Sequence, residues 1–495
     1  MISKTDYLTW LSCLALLWYA KRDPEKLPQE EDPSADARMA EGKAVEALAR
    51  RLHPIGTVID HDRPFEEVIA ASREAIGKAA PGTPACQALV RAGDLVCETD
   101  ILLPVDGGRL DLFEVKATNE VKDEHLPDVA FQRHVLEQAG LSVRKAHVVH
   151  LDREYARDGG IDPGKLFVIE DVTAETGALV KEAASGIEEI QRVLASPVPP
   201  PIRLGEDDLD PRDYPLLFPD VAAAEHPVFD LYRGRQKAVE FYGQGIVATA
   251  DIPKGSALTA RQRVQVECER EGEPFLDRDA IRRFLSCLKA PLMFLDFETM
   301  APAIPLVDGT SPYQQTPFQF SLHSCRSLEA EPEHRGWIWD PVTEGDPRLE
   351  LLRRLEHSLE AEGSVIVYNA AFERMVLRQA AEAFPEFADF VEGVLDRVAD
   401  LLVPFRSFAA HHPDQRGSCS IKAVLPAWCG KGYDSMAISG GEQAAREFVR
   451  VMFGDGAADR DAVRRSLEEY CALDTMAMLG LLRALTNAAA GSGPG

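Results

Sequence analysis

Apolar positions along this chain recur with two periods, and the switches between them mark its elements. The apolar run Leu8 to Ala20 predicts a first helix from about Lys4, capped by Ser3 or Thr5, and helical spacing returns in Ala37 to Arg51. Strand-like stretches follow near Leu95 to Leu103 and Arg109 to Ala117. A helix near Asp128 to Ala139, a strand at Lys145 to Leu151 and a helix Gly177 to Ala195 complete an α/β domain over 1–195. Clustered prolines and acids in Ser196 to Pro219 deny both helix and central strand, which predicts a linker over 196–221. Residues 222–290 read as a mostly helical connector, including Asp230 to Tyr242 and Arg278 to Leu288, whose job is spacing. A second α/β domain is predicted over 291–486. Its strands are LMFLDFET from Leu292, Phe318 to Cys325 and Ser364 to Asn369, and its helices Ala370 to Ala381, Glu442 to Met452 and Asp461 to Leu485. The Ala/Gly/Ser/Pro-rich tail 487–495 predicts disorder.

Composition narrows the function classes. The 495 residues carry 54 Lys plus Arg against 81 Asp plus Glu, a formal net charge of −27, which excludes a wholly basic, passive nucleic-acid binder. It leaves room for a nuclease, whose metal site concentrates carboxylates and whose groove needs only local basic charge. Nine cysteines without a CxxC pair predict neither a disulfide framework nor a closed structural metal site, and so a reducing, cytoplasmic setting. The apolar run near the N-terminus is shorter than the ~20 residues that span a bilayer and lacks a small-residue cleavage site, so no membrane association is expected.

Candidate chemistry is concentrated in two places. In LMFLDFET the strand period sends Asp296 and Glu298 to one face. VIVYNAAFE runs from an apolar strand into Asn369 and a helix start bearing Glu373. In SLEEYCALDTMAMLGLL, Leu467, Tyr470, Cys471, Asp474, Met478 and Leu481 share one helical stripe, so Asp474 lies on an apolar face. A carboxylate there must be paired, hydrogen-bonded or metal-bound.

These pieces in this order, strand DxE, strand-end NxxxE and helical YxxxD, resemble the DEDD exonuclease superfamily with its ribonuclease H-like fold, in the tyrosine subclass. The resemblance spans about Leu292 to Leu485. It implies that Asp296, Glu298 and Asp474 hold two divalent cations, Mg²⁺ or Mn²⁺, and that Tyr470 orients the attacking water. Glu373 stands where most such exonucleases carry aspartate, and Asp400, in RVADLL, is a second acid that could assist or substitute. Lys422 is either a phosphate contact or an ordinary surface lysine. His323, His411 and His412 lack metal-ligand spacing and are expected to be structural.

The N-terminal segment CETDILLPVDGGRLDLFEVKAT reads as a hairpin turning at Asp106-Gly107-Gly108, with Asp100 on one strand, Glu114 and Lys116 on the next, and Gln132 on the following helix. It resembles the PD-(D/E)xK nucleases of the RecB type. That likeness implies metal binding by Asp100 and Glu114, a water-activating Lys116 and a supporting Gln132, with Glu46 or Glu41 as a further ligand. Cys13 fits an early iron-sulfur ligand, but no late cysteine triplet follows, so no cluster is expected. The phrases FLDFETMAPAIPLVDGTSPYQQTPFQFSLH and LEEYCALDTMAM resemble a bacterial family known only as domain of unknown function 2779. The expectation is therefore a metal-dependent nuclease acting on DNA or RNA, with single-stranded ends the favoured substrate of a C-terminal 3′ to 5′ exonuclease. The alternative is a nucleic-acid-binding or assembly protein in which one or both sites are inactive.

Overall fold

The computed structural model describes residues 1–29, 33–433, 436–454 and 456–491, and these form two compact mixed α/β units. Unit 1 comprises Met1–Leu217 with Pro302–Gln314, and unit 2 comprises Phe218–Ala301 with Gln315–Gly495.

Unit 1 is built on a six-stranded sheet in sequence order: β1 (Thr57–Val58), β2 (Ala85–Ala92), β3 (Leu95–Val105), β4 (Arg109–Val115), β5 (Ser142–Leu151) and β6 (Phe167–Asp171). β3 and β4 form the expected hairpin, with Ile101 opposite Phe113 and Leu102 opposite Leu112, and β4 runs parallel to β5. Strand alternation then sorts the side chains into two cores. Leu102 and Leu112 pack with Val129, Val135 and Leu136 of the helix His125–Gln138 and Ile187 of the helix Thr173–Ala195. Ile101 and Phe113 pack on the opposite face with Val45 and Ala49 of the helix Pro33–Ala49, and with Ala303. Glu114 shares the parity of Leu112 and so faces the helix His125–Gln138.

Three local outcomes differ from the sequence pattern and one, the cap of the first helix, settles an alternative it left open. The first helix is two, Lys4–Ser12 and Leu14–Arg22, because Cys13 is extended at φ −160°. Ser3, not Thr5, caps it, in a capping box with Asp6. Residues 196–217, expected to be linker, belong to unit 1: Leu209 is buried and the Asp208 N–H donates to the Ser12 carbonyl. The last helix continues through Ala490 because Ala488 and Ala489 find apolar cover, so the tail is helical that far, while 492–495 lie outside the described residues.

Unit 2 holds the short antiparallel pair β7 (Phe275–Leu276) and β13 (Ala410–His411), and a five-stranded sheet. That sheet contains β8 (Leu292–Met300), β9 (Thr316–Cys325), β10 (Glu333–Ile338), β11 (Ser364–Val367) and β12 (Val398–Asp400), ordered β10-β9-β8-β11-β12. β8 is antiparallel to β9 and parallel to β11, so the strand carrying Asp296 and Glu298 is central. A register shift between Glu298 and Thr299, after which Thr299 pairs with Pro317 and Met300 with Thr316, marks a local irregularity beside the acids. The long helix Arg460–Ala490 packs across β8, β9 and β10, flanked by the helices Ile421–Cys429 and Gly441–Phe453.

Candidate functional site

In unit 2 three distant stretches of chain converge on one cavity of about 540 Å³, whose lining includes Asp296, Glu298, Glu373, Tyr470 and Asp474. β8 presents the first two and the last helix the final two. Glu373 arrives from the helix Ala370–Ala383, whose N-cap Asn369 adopts a left-handed φ of 76°. This conformation is held by Asp400, whose Oδ1 accepts from the N–H of Asn369 and the N–H of Leu402, both at 3.0 Å. Of the two acids offered by sequence, then, Glu373 enters the cavity and Asp400 fastens the turn that delivers it.

The cavity's acids are poorly compensated. Burial, then Asp474, Glu298 and Glu373, push the Asp296 carboxyl well above the usual carboxylate range. Burial and then Asp474 raise Glu298 to about 8 against the pull of Lys422. Burial raises Glu373 to about 8, and its buried Oε2 has no hydrogen-bond partner among the described residues. Asp474 is raised to about 6, chiefly by burial, while hydroxyl bonds from Tyr433 and Tyr470 and the charge of Lys422 oppose the shift. Tyr433 donates to Asp474 Oδ1 at 2.5 Å. Burial and the neighbouring acids raise both phenols, so each keeps its proton at neutral pH. Exposed Lys422 holds its ammonium 6.0 Å and 5.9 Å from the Tyr433 and Tyr470 ring centroids.

This donor set fits a divalent cation. One ligand atom each from Asp296, Glu298 and Cys471 lies within 4.8 Å of the others, and Glu373 Oε2 is an orphaned buried acceptor. Burial and the flanking acids keep the Cys471 thiol protonated, and its sulfur lies 3.6 Å from Asp296 Oδ2 as a weak donor. The remaining donors are hard oxygens, which suit Mg²⁺ or Mn²⁺. Tyr433 and Cys471 were missed as partners in this site. Cys471 sits beside Tyr470 on the same stripe, whereas Tyr433 lies outside every motif and only the packing of its loop reveals it.

Residues 293–420 match the family model of a domain of unknown function, DUF2779. The match takes in Asp296, Glu298, Glu373 and Asp400 and ends before Lys422, Tyr433, Tyr470 and Asp474. The chain is also 25% identical, over 212 residues, to a protein of Mycoplasma pneumoniae described as an uncharacterized protein MG366 homolog. That stretch is 39% of this chain and 32% of the relative, so the chain spans about a third of the length of the curated relative it matches.

In unit 1 the structure gathers Asp100, Glu114, Lys116 and Gln132, and adds two residues that sequence reading did not select, Asp128 and Lys4. Lys116 Nζ donates to Glu114 Oε1 at 2.9 Å and Asp128 Oδ2 at 2.5 Å, and Gln132 Nε2 donates to Glu114 Oε2 at 2.7 Å and Asp128 Oδ1 at 2.8 Å. Lys4 Nζ lies 2.9 Å from Glu114 Oε1 and 3.5 Å from Asp128 Oδ2. Burial alone would weaken the Lys4 ammonium, but Glu114, Asp128 and Asp100 overcome it and raise its pKa. Glu114 is likewise held low: the two ammoniums and the Gln132 amide outweigh its burial. Asp100 is raised by burial, Glu114 and Glu46, and accepts the Val115 N–H at 2.6 Å. With two ammoniums on Glu114, this donor set does not fit a divalent cation while Lys4 is in place. Glu46 faces the cluster, whereas Glu41 accepts the Ala303 N–H at 2.7 Å.

His323 bonds Thr475 Oγ1 at 2.7 Å within the core, and buried His411 stacks on Phe408. His412 caps a short turn by accepting the Asp414 N–H at 3.2 Å. Among the described residues no helix is long and apolar enough to cross a membrane.

Proposed function

We propose that unit 2 is a metal-dependent phosphodiester hydrolase that shortens DNA or RNA strands from the 3′ end. The observation that carries this reading is the convergence of Asp296, Glu298, Glu373 and Asp474 on one cavity with almost no compensating positive charge. Four acids held so close cost folding energy that a purely structural cluster would avoid, and a divalent cation removes that cost. The strand order β10-β9-β8-β11-β12, with the acids on its central strand and the last helix across it, supports a ribonuclease H-like fold.

Asp296, Glu298, Asp474 and Glu373 would hold the cations, Mg²⁺ or Mn²⁺. Bound there, the cations would supply a more acidic water and neutralise charge building on the phosphoryl oxygens. Tyr470 retains its proton and so acts as an orienting hydrogen-bond group for that water, not as a base. Tyr433 fixes the rotamer of Asp474, and Lys422, exposed beside both phenols, would meet a phosphate of the substrate. For unit 1, whose acids and lysines support a PD-(D/E)xK-like reading, we keep the nucleic-acid-binding alternative, because Lys4 and Lys116 both pair with Glu114 and Asp128.

Cleavage of end-labelled single- and double-stranded DNA and RNA with Mn²⁺ or EDTA tests the proposal, using wild type, Asp296→Ala and Asp100→Ala in parallel. Stepwise 3′ shortening lost in Asp296→Ala and retained in Asp100→Ala is the expected result. Metal-dependent cleavage that survives Asp296→Ala would overturn it.

A further inference from the structure

The connector, which sequence reading left without chemistry, carries an ordered group of guanidiniums. The Cζ atoms of Arg233 and Arg261 stand 5.5 Å and 5.9 Å from the Tyr232 ring centroid, and Phe408 packs against the same ring at 4.9 Å. Arg406 joins them: all three guanidiniums act on the thiol of Cys419, whose carbonyl accepts the Tyr368 hydroxyl at 2.7 Å. Arg406 Nη2 in turn donates to Asn369 Oδ1 at 3.2 Å. Tyr368 and Asn369 both line the cavity that holds the four acids.

All three arginines are exposed, and none has a carboxylate within ion-pair distance among the described residues. In a chain with 27 more acids than bases that is unusual, since acid partners are plentiful. The loop is also held in a costly shape. Arg233 has a left-handed φ of 47°, and a Cβ on the next residue, Gly234, would lie 2.7 Å from the Leu231 side chain. The helix Ala260–Glu271 holds that shape: Gln265 Oε1 accepts the Tyr232 N–H at 2.7 Å, Gln262 donates to the Tyr232 carbonyl at 3.0 Å, and Gln265 donates to the Asp230 carbonyl at 3.0 Å. The same helix supplies Arg261. Unpaired guanidiniums on a fixed aromatic platform are preorganised for bidentate phosphate contacts and for stacking with unpaired bases.

We propose that Arg233 and Arg261 on the Tyr232 ring, together with Arg406 bonded to the cavity-lining Asn369, are a docking rail for the phosphodiester backbone of single-stranded nucleic acid. The proposal rests on the hydrolase reading of that cavity, to which the rail leads a strand. A duplex is a poorer fit, because its bases are paired and unavailable to the guanidinium faces.

The test measures binding of fluorescein-labelled 20-nucleotide single-stranded DNA and RNA by anisotropy over a salt series, in EDTA, to the full chain and to Arg233→Ala/Arg261→Ala. A second double variant, Arg233→Lys/Arg261→Lys, keeps the charge and guards against misfolding. Loss of two phosphate contacts raises Kd by about tenfold and flattens the log Kd against log salt slope by about 1.4, at ~0.7 per single-strand contact, while the lysine variant keeps the wild-type slope and has an intermediate Kd. Equal affinity and slope in all three proteins, no strand binding by the wild type, or equally tight binding of polyglutamate overturns the rail. Hydrolysis of the p-nitrophenyl ester of thymidine 5′-phosphate by wild type and Asp296→Ala, with Mn²⁺, judges the hydrolase reading separately. Ester cleavage without arginine-dependent binding removes the rail alone, and arginine-dependent binding without ester cleavage removes the hydrolase alone.

Discussion

Glu298 gives the sharpest thermodynamic test of the acidic cavity. Its carboxyl, 6% exposed, is raised from an ordinary 4.5 to about 8, first by burial and then by Asp474. Below pH 4.5 the group is protonated in both folded and unfolded chains. Between about 4.5 and 8 the unfolded chain has released its proton and the metal-free folded chain has not, so stability falls as pH rises through that window. At ~1.4 kcal/mol per pKa unit, this one group costs the metal-free protein about 5 kcal/mol by pH 8. Glu298→Gln keeps the side chain's size and removes the ionisation. Chemical denaturation of both proteins at pH 5, 6, 7 and 8, in EDTA and in Mn²⁺, reads the effect. In EDTA the wild type is expected to lose several kcal/mol between pH 5 and 8, and the variant clearly less. Cations bind the ionised acids, so Mn²⁺ at a hundred times its Kd restores about 2.7 kcal/mol, and it does so at pH 8 rather than pH 5. The same pH slope in wild type and Glu298→Gln would refute the reasoning, because the strain would then not reside in this carboxylate.

Three further outcomes follow from single contacts. Tyr433→Phe removes a hydroxyl bond to the ionised form of Asp474, so it costs about 1.5–3 kcal/mol in stability, raises the Asp474 pKa above about 6 and weakens Mn²⁺ binding at pH 7; calorimetric titration matching wild type would contradict it. Lys4→Met strips one ammonium from Glu114 while Lys116 remains, costing about 1–3 kcal/mol, and opens unit 1 to one additional Mn²⁺ that equilibrium dialysis would count. Gly186→Ala favours the helix intrinsically but places a Cβ 2.6 Å from the Trp10 ring, so it destabilises unit 1 by about 1–3 kcal/mol, and a rise in its denaturation midpoint would show that Trp10 yields freely.

The legible part of this molecule is the part written in local periodicity. A period of two put Asp296 and Glu298 on one face, and helical spacing put Asp474 beneath Tyr470; the cavity joins all four. The hairpin at Gly107 and Gly108, both with positive φ, was likewise announced by its turn residues. What local pattern could not carry was partnership across long separations. Lys4 meets Glu114 across 110 residues and Tyr433 meets Asp474 across 41, and neither lies in a recognisable motif. β2 and β6 were passed over for a related reason. β6 is mostly exposed, which leaves little alternation to read. In β2 the alternation of buried Cys86, Ala88 and Val90 with half-covered Gln87, Leu89 and Arg91 is weakened in sequence because Leu89 is apolar on the half-covered face. The Ser196 to Pro219 stretch was read from its prolines as linker, yet prolines forbid regular ladders without forbidding burial, and Pro211 and Leu209 are buried.

The two acidic clusters are made from the same residue types and differ in charge balance. In unit 1, Lys4 and Lys116 bring two ammoniums to Glu114 and Asp128, the Gln132 amide bonds both acids, and Glu114 is driven below the usual carboxylate range. In unit 2, four acids share one cavity, the exposed ammonium of Lys422 bears on Glu298 and Asp474, and Asp296, Glu298, Glu373 and Asp474 are all driven up. A buried carboxylate held low has its counter-charge built in and gains little from a cation. One held high stores the cost of its own ionisation, and that cost becomes binding energy when a divalent ion arrives. The resemblance to two nuclease families treats both clusters alike, whereas their charge balance differs. On the proposed reading a divalent ion would relieve the cost of ionising the unit 2 acids, while in unit 1 Lys4 and Lys116 already supply counter-charge to Glu114 and Asp128.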